Sequence, residues 1–280
     1  MTDLMALFNG HSDSEDNIKM VLPWPGNKVR SKKEILPLLP YRDAYIEPFG
    51  GTGAILMHRN PSETEVWNDL DDGLTSFYRC LRDPEKMALM IDWLECTVHS
   101  RTEWQWCKDT WQQCEDLEKA CRWYYVITYS FASLGRNFGT ATQRINCLSG
   151  KLRDRAPIFD PVHKRMKNVI IESDDWLSIV DKYDKEEAVI YMDPPYVEGD
   201  QYAYGAAAGK YLVIDHRQLL DRIFEMRGFV ALSGYPNDLY DQYPWDDTHE
   251  WMQSSTITPM GDNKDAKTRG LVKEKLWIKE

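Results

Sequence analysis

Asp193-Pro194-Pro195-Tyr196 carries more chemistry than any other stretch of the chain, and it follows directly on the apolar run Ala188-Val189-Ile190-Tyr191-Met192. A β-branched and aromatic run halted by two prolines predicts a buried strand that ends abruptly. Both prolines have a fixed φ and no N–H, so the turn beyond the strand is extended and stiff. A carboxylate, a fixed backbone carbonyl and an aromatic ring are thereby presented together at the carboxyl end of a strand. In open α/β sheets that edge is where ligands bind. Two acceptors beside a ring suit a planar group bearing an NH2, such as an amide or the exocyclic amine of a base. Taken alone, the tetrapeptide is also compatible with a plain Pro-rich strand exit.

A second pattern is Glu47-Pro48-Phe49-Gly50-Gly51-Thr52-Gly53-Ala54, between a strand candidate at Asp43–Glu47 and a helix start at Ala54–Arg59. Glycines let the backbone turn sharply and approach a ligand closely, and the helix that follows offers free N–H groups. The pattern fails as a dinucleotide fingerprint, because Leu56 stands at the third glycine position. It fails as a P-loop because no lysine follows the turn. Asn68-Asp69 ends the next strand candidate, where nucleotide-type folds place an acidic residue against ribose hydroxyls. Together the two signals point to an adenosine-containing cofactor; the glycine turn alone is compatible with a plain tight turn.

The elements that must position these groups alternate between strand and helix. Glu65-Val66-Trp67 reads as a strand and Gly73–Leu81 as a helix; Pro84 to about Tyr129 is helical and rich in Trp. Trp104, Cys107, Trp111 and Cys114 interleave at spacings of three and four, as an amphipathic helix requires. Cys107, Cys114 and Cys121 recur every seven residues, which predicts one face of a helix packed inward as small hydrophobes. Ser130–Pro161 loses the periodicity and reads as loops with short elements. Val169–Ile171, Ala188–Met192, Phe229–Ser233 and Leu271–Lys279 are further strands; Asp174-Asp175-Trp176 opens a short helix, and His216–Met226 is another. The alternation predicts an α/β fold with a doubly wound, mostly parallel sheet. Residues 1–20 are expected to form a polar arm, residues 21–83 and 168–280 the sheet-bearing domain, and residues 84–167 a helical, basic insertion.

At 280 residues and 42% hydrophobic the chain is long enough for one large domain. No signal peptide or membrane-length apolar run is evident, so a soluble, cytoplasmic protein is expected. The six cysteines form no C-x-x-C pair, so no metal is expected. The net charge of −11 argues against a polyanionic partner. The local distribution points the other way: Arg136 to Lys167 holds eight positives against two negatives. Lys28, Arg30, Lys32 and Lys33 make a second basic cluster, and Lys264 to Glu280 a third. Such runs are often solvated faces, but three in an acidic chain suggest a segregated binding surface.

In order along the chain stand Trp24-Pro25-Gly26-Asn27-Lys28, the E-P-F-G-G-T-G turn, Asn68-Asp69, Glu172-Ser173-Asp174 and D-P-P-Y. That order resembles the DNA adenine methylase (Dam-like) family of N6-adenine-specific, S-adenosylmethionine-dependent DNA methyltransferases, whose target-recognition region precedes D-P-P-Y. The resemblance spans roughly Val21 to Trp277. Family members usually show G-G-K where this chain has Gly26-Asn27-Lys28. Tyr129-Ser130-Phe131 through Arg136-Asn137-Phe138-Gly139 is similar to the recognition region, Leu232–Tyr235 to the strand after the catalytic loop, and Arg269 with Glu274–Trp277 to the closing strand.

The resemblance implies the Rossmann-like methyltransferase fold, with the insertion as target-recognition region and double-stranded DNA as partner. It implies catalysis by Asp193, Pro194, Pro195 and Tyr196 on an adenine flipped from the duplex. S-Adenosylmethionine falls to Trp24, Lys28, Phe49, Gly50, Gly51, Gly53, Asp69 and Asp174, with Asp69 on the ribose and Asp174 on the cofactor's adenine amine. Arg136, Asn137, Arg144, Lys151, Arg153 and Arg155 are the candidates for DNA contact, since Arg and Asn make bidentate contacts with bases. Each has a plainer reading as well: Trp24 as core, Lys28 as a phosphate contact, Asp174 as a helix N-cap, Asp69 as the start of the next helix, and the cationic set as phosphate contacts or solvated side chains. D-P-P-Y is also used on RNA bases and on glutamine amides, and a non-catalytic DNA-binding decoy of the same fold is a further alternative. A solitary phage or bacterial enzyme, with or without a restriction partner, fits a chain of this kind; a monomer suffices for the chemistry.

Overall fold

Residues 18–24, 26–139, 156–197, 214–254 and 271–280 are described by the computed structural model. Strands β1 (Ala44–Glu47), β2 (Thr64–Asn68), β3 (Ile170–Glu172), β4 (Ala188–Met192), β5 (Phe229–Gly234), β6 (Asp247–Ser254) and β7 (Leu271–Lys279) build one sheet in the order β3-β2-β1-β4-β5-β7-β6. The first five pair in parallel, whereas β7 is antiparallel to both β5 and β6. Chain order runs one way from β1 to β3 and the other way from β4 onward, so β1 and β4 flank the point of reversal. This is the mostly parallel, doubly wound α/β architecture expected from the sequence. β6 is not among the strands expected from the sequence; Asp247–Ser254 becomes a strand by pairing with β7 from Asp247↔Ile278 to Ser254↔Leu271.

The two faces of the sheet are set by the two-residue period of its strands. Tyr45, Trp67, Val189, Tyr191, Ala231 and Leu276 face one helical layer, while Ile46, Val66, Ile190, Met192, Leu232 and Trp277 face the other. The first layer contains the short α1 (Lys32–Ile35) and α2 (Ala54–His58), then α3 (Asp72–Arg82), α4 (Pro84–Cys96), α5 (Arg101–Thr110), α6 (Asp116–Tyr129) and α7 (Ala156–Met166). The second contains α8 (Trp176–Tyr183) and α9 (His216–Glu225). Helix α3 shows why these segments fold as they do: the Asp71 carboxylate caps it by accepting from the N–H groups of Gly73 and Leu74, and Leu74, Phe77, Tyr78 and Leu81 form its buried stripe. Asp83 caps α4 likewise, with Pro84 in the first turn, where a missing N–H costs nothing. No helix among the described residues is long and apolar enough to cross a membrane.

Two expectations are corrected. Cys107, Cys114 and Cys121 do not share one helix: α5 ends at Thr110, a 3-10 turn covers Trp111–Gln113, and α6 starts at Asp116. The tightened turn buries Trp111, and Cys114 lies at its end with Sγ 3.4 Å from the Thr110 carbonyl, while Cys107 and Cys121 are buried on separate helices. The Ser130–Pro161 stretch, expected as loops with short elements, ends inside a helix of eleven residues: α7 starts at Ala156 and runs through Pro161 to Met166. Phe159, Val162 and Met166 are fully buried on α7, and that packing outweighs the backbone bond that Pro161 removes.

Candidate active site

The motif turns meet because of strand order. In the register Ala44↔Ala188, Tyr45↔Val189, Ile46↔Ile190, Phe49 and Asp193 each stand three residues beyond the same pair. The glycine turn after β1 and D-P-P-Y after β4 therefore exit side by side at the reversal point, the crevice where such sheets bind ligands.

Asp193 is fixed on two sides. Ser233, next after the pair Met192↔Leu232, donates its hydroxyl to Asp193 Oδ1 at 2.8 Å and also meets the Tyr191 hydroxyl at 3.1 Å. Lys28 Nζ lies 2.8 Å from Asp193 Oδ2 and donates to the Gly26 carbonyl at 2.9 Å. The same ammonium stands 5.0 Å from the centroid of the Tyr196 ring. Tyr196 is buried, packed edge-on against Tyr235 with centroids 4.7 Å apart, and Pro194 and Pro195 are buried too. A carboxylate, a stiff dipeptide and two aromatic rings thus form one wall, with a cation inside it.

The glycine turn is built from its own peptide groups. Gly50 N–H donates to the Asn68 carbonyl and Gly53 N–H to the Gly50 carbonyl, both at 2.7 Å. Gly51 and Gly53 hold φ of +48° and +63°, the left-handed region that favours glycine. A Cβ on Gly51 would make only an ordinary contact with the Trp24 indole nitrogen, at 3.4 Å, so the positive φ, and not a lack of space, is what favours glycine there. Trp24 itself rests on Trp123. Phe49 stacks on Trp176, with ring centroids 6.1 Å apart, and Trp176 stands two residues after Asp174.

Two carboxylates border this turn. Asp69 Oδ2 accepts from Gly51 N–H at 2.9 Å and Oδ1 from Asp71 N–H at 2.8 Å. Burial among protein atoms raises its pKa, and those two N–H groups pull it back. Asp71, not Asp69, begins the next helix as its cap. Asp174 is exposed, with Oδ1 accepting from Asp175 N–H and Oδ2 from the Ser178 hydroxyl; the cap of α8 is Asp175. Below the turn the fully enclosed Glu47 accepts from Tyr45 Oη at 2.7 Å and Leu56 N–H at 2.8 Å, and burial pushes its pKa up to about 8.

The twelve residues expected at the base and the cofactor thus gather along one crevice; of the six expected on DNA, two fall among the described residues. Arg136 and Asn137 are exposed on a hairpin closed by the Ser130↔Phe138 bridge and by Gly139 N–H on the Tyr129 carbonyl at 2.7 Å. Arg144, Lys151, Arg153 and Arg155 lie outside the described residues. Sequence reasoning missed Ser233, Tyr235, Glu47 and Asn68 as site residues. Ser233 was findable: it ends a buried strand beside the one that carries Asp193.

The crevice suits a molecule with hydroxyls or amines for two carboxylates, a flat group for aromatic faces, and a second substrate with an NH2 for Asp193. The chain is 22% identical over 184 residues to the type II methyltransferase M.CviBI of Paramecium bursaria Chlorella virus NC1A, covering 64% of this chain and 69% of that one. It is 25% identical over 204 residues to the type II methyltransferase M.MjaIII of Methanocaldococcus jannaschii, with the same 64% and 69% covered. Residues 24–227, which carry both motif turns and the strands between them, match the family model, and this chain belongs to the D12 class N6 adenine-specific DNA methyltransferases.

Proposed function

We propose that this enzyme methylates an adenine of double-stranded DNA presented out of the duplex, with Asp193 and the Pro194 carbonyl as acceptors for the two N6 hydrogens. The observation that carries the reading is the pinned carboxylate of Asp193, held by Ser233 at 2.8 Å directly beside the glycine turn.

The adenine amine is a poor nucleophile because its lone pair is delocalised into the ring. Two acceptors fixed in position draw the nitrogen toward tetrahedral geometry, free the lone pair and stabilise the positive charge that develops on it. Tyr196 stacks on the base, which has to leave the duplex to reach so enclosed a ring. S-Adenosylmethionine, when bound, supplies an electrophilic methyl group on a positively charged sulfur. Trp24, Phe49, Gly50, Gly51 and Gly53 form its bed; Asp69 takes the ribose hydroxyls and Asp174 the cofactor's adenine amine. Holding both reactants on one rigid sheet edge supplies the alignment that transfer requires. Residues 84–167 form the target-recognition region, with Arg136, Asn137, Arg144, Lys151, Arg153 and Arg155 toward DNA and 21–83 with 168–280 as the catalytic part.

Incubation with tritiated S-adenosylmethionine and unmethylated genomic DNA, beside RNA and a protein extract, tests the proposal. Label in N6-methyladenine, lost on Asp193→Ala while cofactor binding persists, is the expected result. Label in RNA or protein instead, or full activity of Asp193→Ala, overturns it.

A further inference from the structure

In this structure the place assigned to the target amine is filled by a cation of the protein itself. Lys28 Nζ sits 2.8 Å from Asp193 and 5.0 Å from the centre of the Tyr196 ring. Under the proposed function, those are the carboxylate that receives the amine and the ring that stacks the base. The Lys28 side chain is only 5% exposed, so an ammonium displaced by the base does not simply enter water. A buried charge that loses its partner is strongly disfavoured unless another takes over.

Glu274 on β7 stands ready as that partner. It is buried (3% exposed) and has no part in the methyl transfer proposed for Asp193. Gln253 donates its side-chain amide to Oε1, and the Ser31 hydroxyl lies 3.2 Å from Oε2. Ser31 is three residues after Lys28, and Trp251 of β6, the cross-strand neighbour of Glu274, donates to its hydroxyl at 3.3 Å, so the chain just after Lys28 is anchored beside Glu274. Glu274 already feels both members of the ion pair: burial raises its pKa, Lys28 lowers it and Asp193 raises it further. An approaching ammonium would hold it ionised.

We propose that Lys28 is a place-holder cation that keeps the empty base pocket filled, and that Glu274 is the positioning residue that receives it when the target adenine enters. The two carboxylates share one ammonium, and the amine of the base takes its place on Asp193. This rests on the assignment of Asp193 as the amine acceptor.

The test compares wild type, Asp193→Ala, Glu274→Gln, Lys28→Met and the double variant Lys28→Met/Glu274→Gln. For each, the single-turnover rate on unmethylated genomic DNA is measured, with affinities for S-adenosylhomocysteine and for DNA. Glu274→Gln keeps the shape and the contacts to Ser31 and Gln253 but removes the charge. It is expected to lower the single-turnover rate about tenfold or more with both affinities within about threefold of wild type. In the Lys28→Met background the same substitution should have no further effect, since there is no ammonium left to receive. A wild-type rate for Glu274→Gln, or two effects that multiply, overturns the proposal. Full activity of Asp193→Ala instead locates the failure in the assignment of Asp193. A crystal structure of the wild type with S-adenosylhomocysteine and target DNA decides the matter without a variant. Lys28 within hydrogen-bond distance of Glu274 while adenine occupies the pocket supports the proposal; Lys28 still on Asp193 sinks it.

Discussion

Asn68 exchanges two hydrogen bonds with the backbone of Asp174: its side-chain nitrogen donates to the Asp174 carbonyl at 2.9 Å, and its side-chain oxygen accepts from the Asp174 N–H at 2.9 Å. The same nitrogen donates to the Pro48 carbonyl at 2.8 Å. One buried amide thus ties together the turns that follow β1, β2 and β3, and sets Asp174 relative to the glycine turn.

Replacing Asn68 by Asp sets an acceptor against two carbonyl oxygens in a buried place. Asn68→Asp is expected to destabilise the fold by about 2–4 kcal/mol and to weaken S-adenosylhomocysteine binding more than Asn68→Ala does. Urea unfolding with calorimetric titration checks this; equal behaviour of the two variants counts against it.

Gly50 and Gly51 fail for different reasons. A Cβ on Gly50 would lie 2.2 Å from the Trp67 indole nitrogen, and that indole is fully buried. Gly50→Ala therefore forces a core ring to move, at about 1–3 kcal/mol. Gly51→Ala keeps an ordinary contact to Trp24 but takes on a φ of +48°, a strain of about 1–2 kcal/mol, and adds a methyl to the proposed cofactor bed. Melting temperatures should fall in both, whereas cofactor affinity should fall most for Gly51→Ala.

Arg165 on α7 clamps Glu65 with two hydrogen bonds, at 2.5 and 2.7 Å, and donates to the Leu56 carbonyl at 2.7 Å. Glu65 is 5% exposed, and its other cation, Arg59, stands 3.7 Å away. Arg165→Met leaves a buried carboxylate undercompensated and should cost about 3 kcal/mol. Glu65→Gln with Arg165→Met should restore part of that loss. Chemical denaturation of the single and double variants reads both effects.

Glu47 gives the protein a pH signature. Its carboxyl is protonated in the folded state up to about pH 8, whereas the unfolded chain releases that proton near its ordinary value of 4.5. Between those limits the native state binds more protons, so unfolding free energy falls as pH rises through the window. The contribution is fully present below 4.5 and gone above 8. Asp71, lifted by burial to about 7, acts in the same direction. Glu47→Gln should flatten the pH dependence between pH 5 and about 8 while leaving the part due to Asp71. Urea midpoints across that range decide it; parallel curves for wild type and variant would refute the assignment.

Much of the fold was legible locally. β1, β2, β4 and β5 follow from apolar runs bounded by Gly, Pro or Asp, and α3 and α9 from caps ahead of periodic stripes. What failed were segments whose structure is imposed from outside. β6 exists by pairing with β7, α7 persists through Pro161 because its face is buried, and the cysteine heptad is interrupted where Trp111 turns inward.

The sequence by itself determined the chemistry on offer: D-P-P-Y at a strand end, glycines where φ is positive, and acids at the ends of the next strands, because residue type and local spacing fix those. Only the tertiary structure decided which groups meet. Strand order places Asp193 beside Phe49, parallel pairing places Ser233 on Asp193, and the N-terminal loop brings the Lys28 ammonium to both Asp193 and Tyr196. These partners are tens to hundreds of residues apart. Their pairing is set by burial and hydrogen-bond satisfaction across the whole sheet, which no local pattern encodes.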